Sequence, residues 1–311
     1  MNKILITGGA GFIASALAES LAFNKDNFIV IADNLSTGSK EKLPVSKHNN
    51  IKFIKCNVNK ISEITSVFHA FAFDYVFHYA ALVGVKRTLQ NPVKVLQDIA
   101  GIKNILNLSK NTGVKRVYYS SSSEVYGEPV EIPQNEDTTP LNSRLPYAIV
   151  KNVGEAFLKA YKTEFDLDYT VFRFFNTYGP KQSRDFVVSK FIKSAVLNEP
   201  ITIYGNGSQT RTFCFISDNI DVTTKIFDEN KCVNEVINIG NNIETTILDL
   251  AKLIIKLTNS KSEILFLPPL EEGDMSRRCP DNSKMREILN RELIPLEQGI
   301  NKILENTKYI L

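Results

Sequence analysis

Short apolar runs of strand length alternate with stretches of helical spacing through the first half of the chain. Lys3 to Thr7 is a short apolar run, followed at once by Gly8-Gly9-Ala10-Gly11-Phe12-Ile13-Ala14 and then by a helical pattern that turns Leu17 and Leu21 inward. Phe28 to Ala32 reads as a second strand and ends in Asp33; Ile51 to Val58 reads as a third. Ile61 to Phe71 has helical spacing, and Asp74 to Ala80 is a fourth strand running into Ala81. A long helical pattern follows Asn91-Pro92 and stops at Gly113. Arg116 to Ser120 is a fifth strand, a helix opens at Pro146, and Asp168 to Phe174 is a sixth strand. This alternation predicts an α/β fold with a Rossmann-type, doubly wound parallel sheet.

Beyond Pro180 the alternation breaks up. Phe186 to Leu197 reads as a helix, Ile201 to Tyr204 as a short strand and Gly205 to Ser208 as a turn. Asn219 to Asp228 and Val236 to Ile239 resume the first pattern. Thr246 then suits the N-cap of a helix reaching Leu257, and Glu263 to Leu267 is a further strand. The expected division is a dinucleotide-binding domain over 1–179, rejoined by about 212–240, and a smaller mixed α/β substrate-binding lobe over 180–211 and 241–311.

Composition narrows the function classes. The 311 residues are 43% hydrophobic and 23% charged, enough for a large core. The 37 basic and 34 acidic residues are interspersed, without a basic block or basic-aromatic interleaving, so no nucleic-acid partner is expected. No apolar run reaches about 18 residues, and the N-terminus runs directly into a strand pattern. No membrane partner is expected, and the reading is cytoplasmic. Cys56, Cys214, Cys232 and Cys279 are scattered, and His48, His69 and His78 do not fall at ligand spacing, so no metal site is expected.

Two motifs carry candidate chemistry. In the strand-turn-helix context, Gly8 permits a tight turn, Gly11 lets the backbone approach a pyrophosphate, and the small Ala14 lets helix and strand pack closely. Asp33 stands where an acid accepts both ribose hydroxyls of NAD and repels a 2′-phosphate; no Arg follows it directly, so NAD is favoured over NADP. Small residues after His78 at a strand end let a cofactor lie against the backbone. The second motif is Tyr147 with Lys151 one helical turn on. An ammonium beside a phenol favours the phenolate and prepares a general base. Ser122 offers a hydroxyl to the same substrate oxygen. A tyrosine and lysine at this spacing also fit a buried aromatic beside a solvated lysine; the glycine turn favours the chemical reading.

Together these stretches resemble the extended short-chain dehydrogenase/reductase family of NAD-dependent nucleotide-sugar epimerases, dehydratases and decarboxylases. The resemblance spans essentially the whole chain. Its carriers are Thr7 to Ile13, Asp33-Asn34-Leu35-Ser36-Thr37-Gly38, His78-Tyr79-Ala80-Ala81, Ser120 to Gly127, Tyr147 with Lys151, Arg173 to Pro180, and Gln209-Thr210-Arg211 with Asp218. The resemblance implies that Tyr147 takes the proton of a sugar hydroxyl at C4 while Ser122 shares its hydrogen bond and Lys151 holds the nicotinamide ribose. It implies cofactor contacts from Gly8, Gly11, Phe12, Ile13, Asp33, Asn34, Ser36, Thr37, Gly38, Asn57, Val58, Tyr79, Ala80, Ala81, Ser120 and Phe174. Substrate contacts are implied for Ser122, Ser123, Asn176, Val188, Tyr204, Arg211 and Arg278; an arginine fork suits a diphosphate. Ala14 replaces the family's usual last glycine, and Asn57-Val58 stands where an aspartate commonly faces adenine.

The outcome after C4 oxidation stays open at this level. Ser123-Glu124 resembles the UDP-glucuronate decarboxylases, with Glu124 a second acid/base or a group orienting the sugar, but their Asn-Pro-Ile-Gly-Pro-Arg segment is replaced by Pro-Leu-Asn-Ser-Arg-Leu-Pro over Pro140 to Pro146. Many 4-epimerases carry Arg-x-Gly-Asp where this chain has Glu271-Glu272-Gly273-Asp274, so Arg278 has to substitute. The expectation is a nucleotide-diphosphate sugar oxidised to its 4-keto form and re-reduced as the 4-epimer. Release of the ketone and decarboxylation are the alternatives within the class. A non-catalytic NAD-sensing scaffold is the alternative outside it, disfavoured because Ser122, Tyr147 and Lys151 are all kept. A homodimer is expected, with the helices Pro92 to Lys110 and Tyr147 to Glu164 pairing with their copies as a four-helix bundle.

Overall fold

The computed structural model describes residues 1–44, 48–269 and 277–305; of residues 85 and 86 only the backbone is described. The first part alternates as β1 (Asn2–Thr7), α1 (Phe12–Leu21), β2 (Asn27–Asp33), β3 (Ile51–Lys55), α2 (Ile61–Phe71), β4 (Tyr75–His78), α3 (Val85–Gln90), α4 (Pro92–Leu96), α5 (Asp98–Thr112), β5 (Arg116–Ser122), α6 (Pro146–Phe165) and β6 (Asp168–Phe174). There follow β7 (Thr177–Tyr178), α7 (Val187–Val196), β8 (Ile201–Tyr204), β9 (Thr210–Thr212), β10 (Cys214–Phe215), α8 (Ile216–Asp228), β11 (Glu235–Ile239), β12 (Glu244–Thr246), α9 (Ile247–Thr258), β13 (Ile264–Leu267), α10 (Ser283–Leu289) and α11 (Leu296–Leu304). No described helix is long and apolar enough to cross a membrane.

The chain forms two compact units. The first comprises Met1–Val125, Ser143–Arg173 and Ile220–Ile237, and the second Tyr126–Asn142, Phe174–Asn219 and Asn238–Leu311. The first is built on a seven-stranded sheet of order β11-β6-β5-β4-β1-β2-β3. Around β1 every pairing is parallel: Thr7 lies opposite Ala32 of β2 and opposite His78 of β4. Strand order therefore reverses between β1 and β4, and the crevice at their carboxyl ends is where such sheets receive ligands.

Alternation along the buried strands separates two kinds of packing. Leu5, Val30, Val76, Val117 and Val171 meet α2, α5 and α6 through Ile64, Phe68, Ile102, Ile105, Val150 and Leu158. In α6 the close approach depends on Gly154, where a Cβ would fall 2.2 Å from the Tyr119 hydroxyl oxygen. On the opposite face Phe77 stacks on Tyr118 at 4.3 Å between ring centroids, and Phe227 of α8 packs edge-on to both. The aromatic ladder makes that side of the sheet stiff and dry.

One helix expected from Pro92 is divided at Gln97. There the Ala100 N–H bonds to the Gln97 carbonyl, one residue short of the α-helical partner, so the turn tightens. Gly113 ends α5 in a left-handed conformation, φ +78°.

The second unit carries three two-stranded sheets: β10 with β7, β12 with β9, and β13 with β8. Antiparallel pairing places Arg211 opposite Thr245. Thr246 caps α9, its hydroxyl accepting the Asp249 N–H at 2.9 Å, as its position predicts.

Candidate active site

The glycine turn at the end of β1 is shaped by what a side chain cannot occupy. Gly8 has φ +69°, and a Cβ there would lie 2.7 Å from the backbone N and Cα of Ala80. Its N–H bonds to Ala32 O at 2.8 Å, and its carbonyl accepts the Gly11 N–H at 2.9 Å. Gly11 is the N-cap of α1, which has no side-chain cap and no acidic residue in its first turn. The first amides of that helix thus face outward with the positive end of the helix dipole, a setting made for a phosphate. Ala14, 3% exposed, packs in the place of the usual glycine, so a methyl is tolerated there. Phe12 and Ile13, half-buried, form the first turn.

Asp33 locks this turn from β2. One carboxylate oxygen accepts the Ala10 N–H at 3.0 Å and the other the Leu35 N–H at 2.7 Å. The following loop folds back: Ser39 N–H bonds to Ala10 O at 3.1 Å, and a Cβ on Gly38 would meet Ala10 at 2.8 Å. Asn34, Ser36 and Thr37 stay exposed beside it. The glycine turn, Asp33 and the loop to Gly38 form one cradle, joined by the Asp33 carboxylate and the Ser39 N–H to Ala10 O bond.

At the other side of the crevice Thr7 accepts the Tyr79 and Ala80 N–H groups, at 3.1 and 3.2 Å, which pins Tyr79, Ala80 and Ala81 against the glycine turn. Further along, the Asn57 side-chain oxygen accepts the Asn59 N–H at 3.1 Å, while Glu63 holds the Asn57 N–H at 2.8 Å. Val58 is buried below.

Ser120, Tyr147 and Lys151 come together where α6 packs on β5, and Ser122 follows two residues along that strand. Lys151, 2% exposed, donates from Nζ to the Ser120 carbonyl at 2.5 Å and lies 3.3 Å from the Ser120 hydroxyl. The same Nζ is 5.7 Å from the Tyr147 ring centroid. Burial pulls the ammonium's pKa down to about 8, against the attraction of Asp98 and Glu155. Ser122 ends β5, and its hydroxyl accepts the Glu124 N–H at 3.2 Å. Ser123 is buried and opens the short turn that also carries Glu124. Such a constellation can deprotonate an alcohol: a phenol, a cation that stabilises its anion, and a serine hydroxyl.

The remaining candidates lie in the second unit. Arg211 and Arg278 are both buried rather than solvated, and Arg211 donates to the Thr210 carbonyl at 2.7 Å. The Asn176 amide nitrogen is buried without a hydrogen-bond partner among the described residues, a donor left for a ligand. Phe174 is half-buried, Val188 is buried on α7, and Tyr204 is 39% exposed at the end of β8. Glu271 to Asp274 lie outside the described residues. What sequence reasoning missed is a buried carboxylate one turn after Lys151: Glu155 accepts from Arg173 and Ser121. Its only signal was an acid at the inward spacing of an amphipathic helix.

Comparison with known proteins identifies the family. Residues 4–240 match the model of the NAD dependent epimerase/dehydratase family. UDP-glucuronic acid decarboxylase 1 of Danio rerio is 36% identical over 313 residues, covering 98% of this chain and 72% of that protein. UDP-N-acetyl-alpha-D-glucosaminuronate decarboxylase of Bacillus cytotoxicus is 34% identical over 323 residues, covering 98% of this chain and 97% of that protein. The crystal structure of UDP-glucose 4-epimerase from Thermotoga maritima with UDP-glucose superposes with a TM-score of 0.91 at 31% identity, covering 98% of each chain. With a family match over most of its length and relatives 34% and 36% identical along nearly all of it, the chain belongs to the NAD-dependent epimerase/dehydratase family, whose members oxidise nucleotide sugars at C4.

Proposed function

We propose that this enzyme oxidises a UDP-sugar at C4 and re-reduces the ketone from the other face, a 4-epimerisation. The observation that carries the oxidation is the buried Lys151 ammonium, 5.7 Å from the Tyr147 ring and tied to Ser120, two residues before Ser122 on the same strand. Lys151 favours the Tyr147 phenolate, which removes the proton of the C4 hydroxyl while Ser122 donates to the same oxygen and holds it. NAD, when bound, supplies the acceptor for the C4 hydride and can give it back, so the cycle is redox-neutral. Tyr147 then returns the proton to the new alcohol. The glycine turn holds the pyrophosphate, Asp33 the adenosine ribose, and Lys151 the nicotinamide ribose. In the lobe of residues 180–211 and 241–311, with Phe174 and Asn176 before it, Arg211, Arg278 and Asn176 bind the sugar diphosphate, and Val188 and Tyr204 line the nucleotide.

A second reading is decarboxylation of a UDP-uronic acid after the same C4 oxidation. Ser123-Glu124 and the decarboxylases among the relatives favour it; the replaced segment Pro140 to Pro146 disfavours it. Nuclear magnetic resonance of the products from UDP-hexoses and UDP-uronic acids distinguishes the two. Inversion at C4 with all carbons retained is the expected result, and a pentose with release of carbon dioxide selects the second reading. No turnover of any nucleotide sugar by protein with NAD bound overturns both.

The assembly we propose is a homodimer through α4, α5 and α6. Val93 and Leu96 on α4 and Ile149 and Phe165 on α6 are exposed apolar side chains in the first unit. A monomeric mass by light scattering overturns it.

A further inference from the structure

Tyr147, Lys151 and Glu155 follow one another at single-turn spacing on α6, and the last two are buried, Glu155 at 1% exposure. Their grips on β5 are consecutive. Lys151 holds the Ser120 carbonyl, and the Ser121 hydroxyl donates to Oε1 of Glu155 at 2.5 Å. The next residue, Ser122, carries the hydroxyl assigned to the substrate. From β6, Arg173 closes a fork on the same carboxylate, Nε to Oε1 at 3.1 Å and Nη2 to Oε2 at 2.8 Å. Arg173 is itself 2% exposed. Nothing in the oxidation calls for a carboxylate here, and burying an ion pair is costly unless every oxygen is satisfied.

We propose that Glu155 is a positioning residue for the C4 oxidation: clamped by Arg173 and Ser121, its carboxylate fixes β5 against α6 so that Ser122 and Tyr147 reach one substrate oxygen, with its negative charge set one helical turn from Lys151. This rests on the reading of Tyr147, Lys151 and Ser122 as the reacting groups. The charges around Lys151 leave that part to few residues. Asp98 on α5 and Glu155 on α6 both favour the protonated amine. His78 on β4 is kept neutral by burial, the Tyr119 phenol on β5 is pushed far up by burial, and Arg173 on β6 is paired with Glu155. Asp98 is held by the Leu82 N–H and the Asn59 amide. Of these two acids, Glu155 is the one hydrogen-bonded to the strand that bears Ser122, through the Ser121 hydroxyl.

The test reads Lys151 directly. Carbon-13 labelling of the lysine side chains gives its titration in the substrate-free protein, with the resonance assigned by Lys151→Met. In Glu155→Gln the midpoint moves down from about 8, and kcat for C4 oxidation falls tenfold or more on the order of a misplaced catalytic group, with KM little changed. Because Glu155→Gln leaves the Arg173 charge unpaired, the volume-conserving pair Glu155→Met with Arg173→Met is measured beside it. That folded double variant shifts the titration in the same direction and lowers kcat likewise. A folded double variant with the wild-type titration and kcat overturns the proposal, whatever the reaction is. Failure of the wild type to oxidise any nucleotide sugar overturns instead the functional reading beneath it.

Discussion

The Thr7 hydroxyl lies 2.8 Å from Nδ1 of His78, across the point where the strand order of the sheet reverses. Because that hydroxyl oxygen already accepts the Tyr79 and Ala80 N–H groups, its one proton goes to Nδ1, and the imidazole carries its own hydrogen on Nε2. Protonating Nδ1 would break this arrangement. Burial, and then the nearby Lys151, lower the His78 pKa from 6.5 to about 3.

The sign of the pH effect follows. Between those values the unfolded chain binds a proton that the folded protein refuses, so stability falls as pH drops below 6.5. Replacing His78 by Asn removes this term. Urea unfolding should show the wild type losing ~2 kcal/mol more than the variant between about pH 6.5 and pH 5.

Lys151 gives the same kind of linkage at alkaline pH. Its folded pKa, about 8, is below the ordinary 10.5, so the wild type gains stability as pH rises through that window. In protein without nucleotide, the stability difference between wild type and Lys151→Met should change by ~3 kcal/mol in favour of the wild type across it. Chemical denaturation at a series of pH values measures the change.

A methyl at position 8 meets both an unfavourable backbone angle and the Ala80 backbone. Gly8→Ala should lower NAD affinity by about tenfold or more, since such strain is worth on the order of 1–3 kcal/mol. Isothermal calorimetry with NAD checks it, and circular dichroism separates lost binding from lost folding.

Asp33→Asn tests a residue with two tasks. An amide keeps one acceptor but turns an NH2 toward a backbone N–H, Ala10 or Leu35, so the cradle loosens as the charge that repels a 2′-phosphate disappears. NAD affinity should fall and the preference for NAD over NADP should shrink, both by about tenfold or more. Competition binding with the two nucleotides measures the ratio.

Much of this was legible along the chain, for identifiable reasons. Ile61–Phe71 and Asp168–Phe174 match their predicted bounds because apolar period and flanking punctuation agree there. Gly8, Gly11 and Asp33 were readable because a phosphate turn constrains residue type at fixed offsets. Other features lacked a local signature. The third strand ends at Lys55 rather than Val58: the Cys56 N–H makes the last bond to β2, at Asp33 O, and Asn57 then opens a side-chain turn. The Glu155, Arg173 and Ser121 contacts join three elements and become visible only once these are packed together. Asn176 was named from its motif, but that its amide nitrogen stays buried and unpartnered among the described residues shows only in the packed structure.

The missing side chain at position 154 acts as a spacer. With only a hydrogen beneath the Tyr119 hydroxyl, the rod bearing both base and cation rests at its lowest height above the strand. A larger residue has to displace the Tyr119 ring or raise the rod; where the rod gives way, phenol and ammonium would keep their mutual distance while retreating together from the strand below. Rate would then decay through separation of partners rather than through loss of either, and the tuning of this reaction belongs as much to an absent carbon as to the groups that handle the proton.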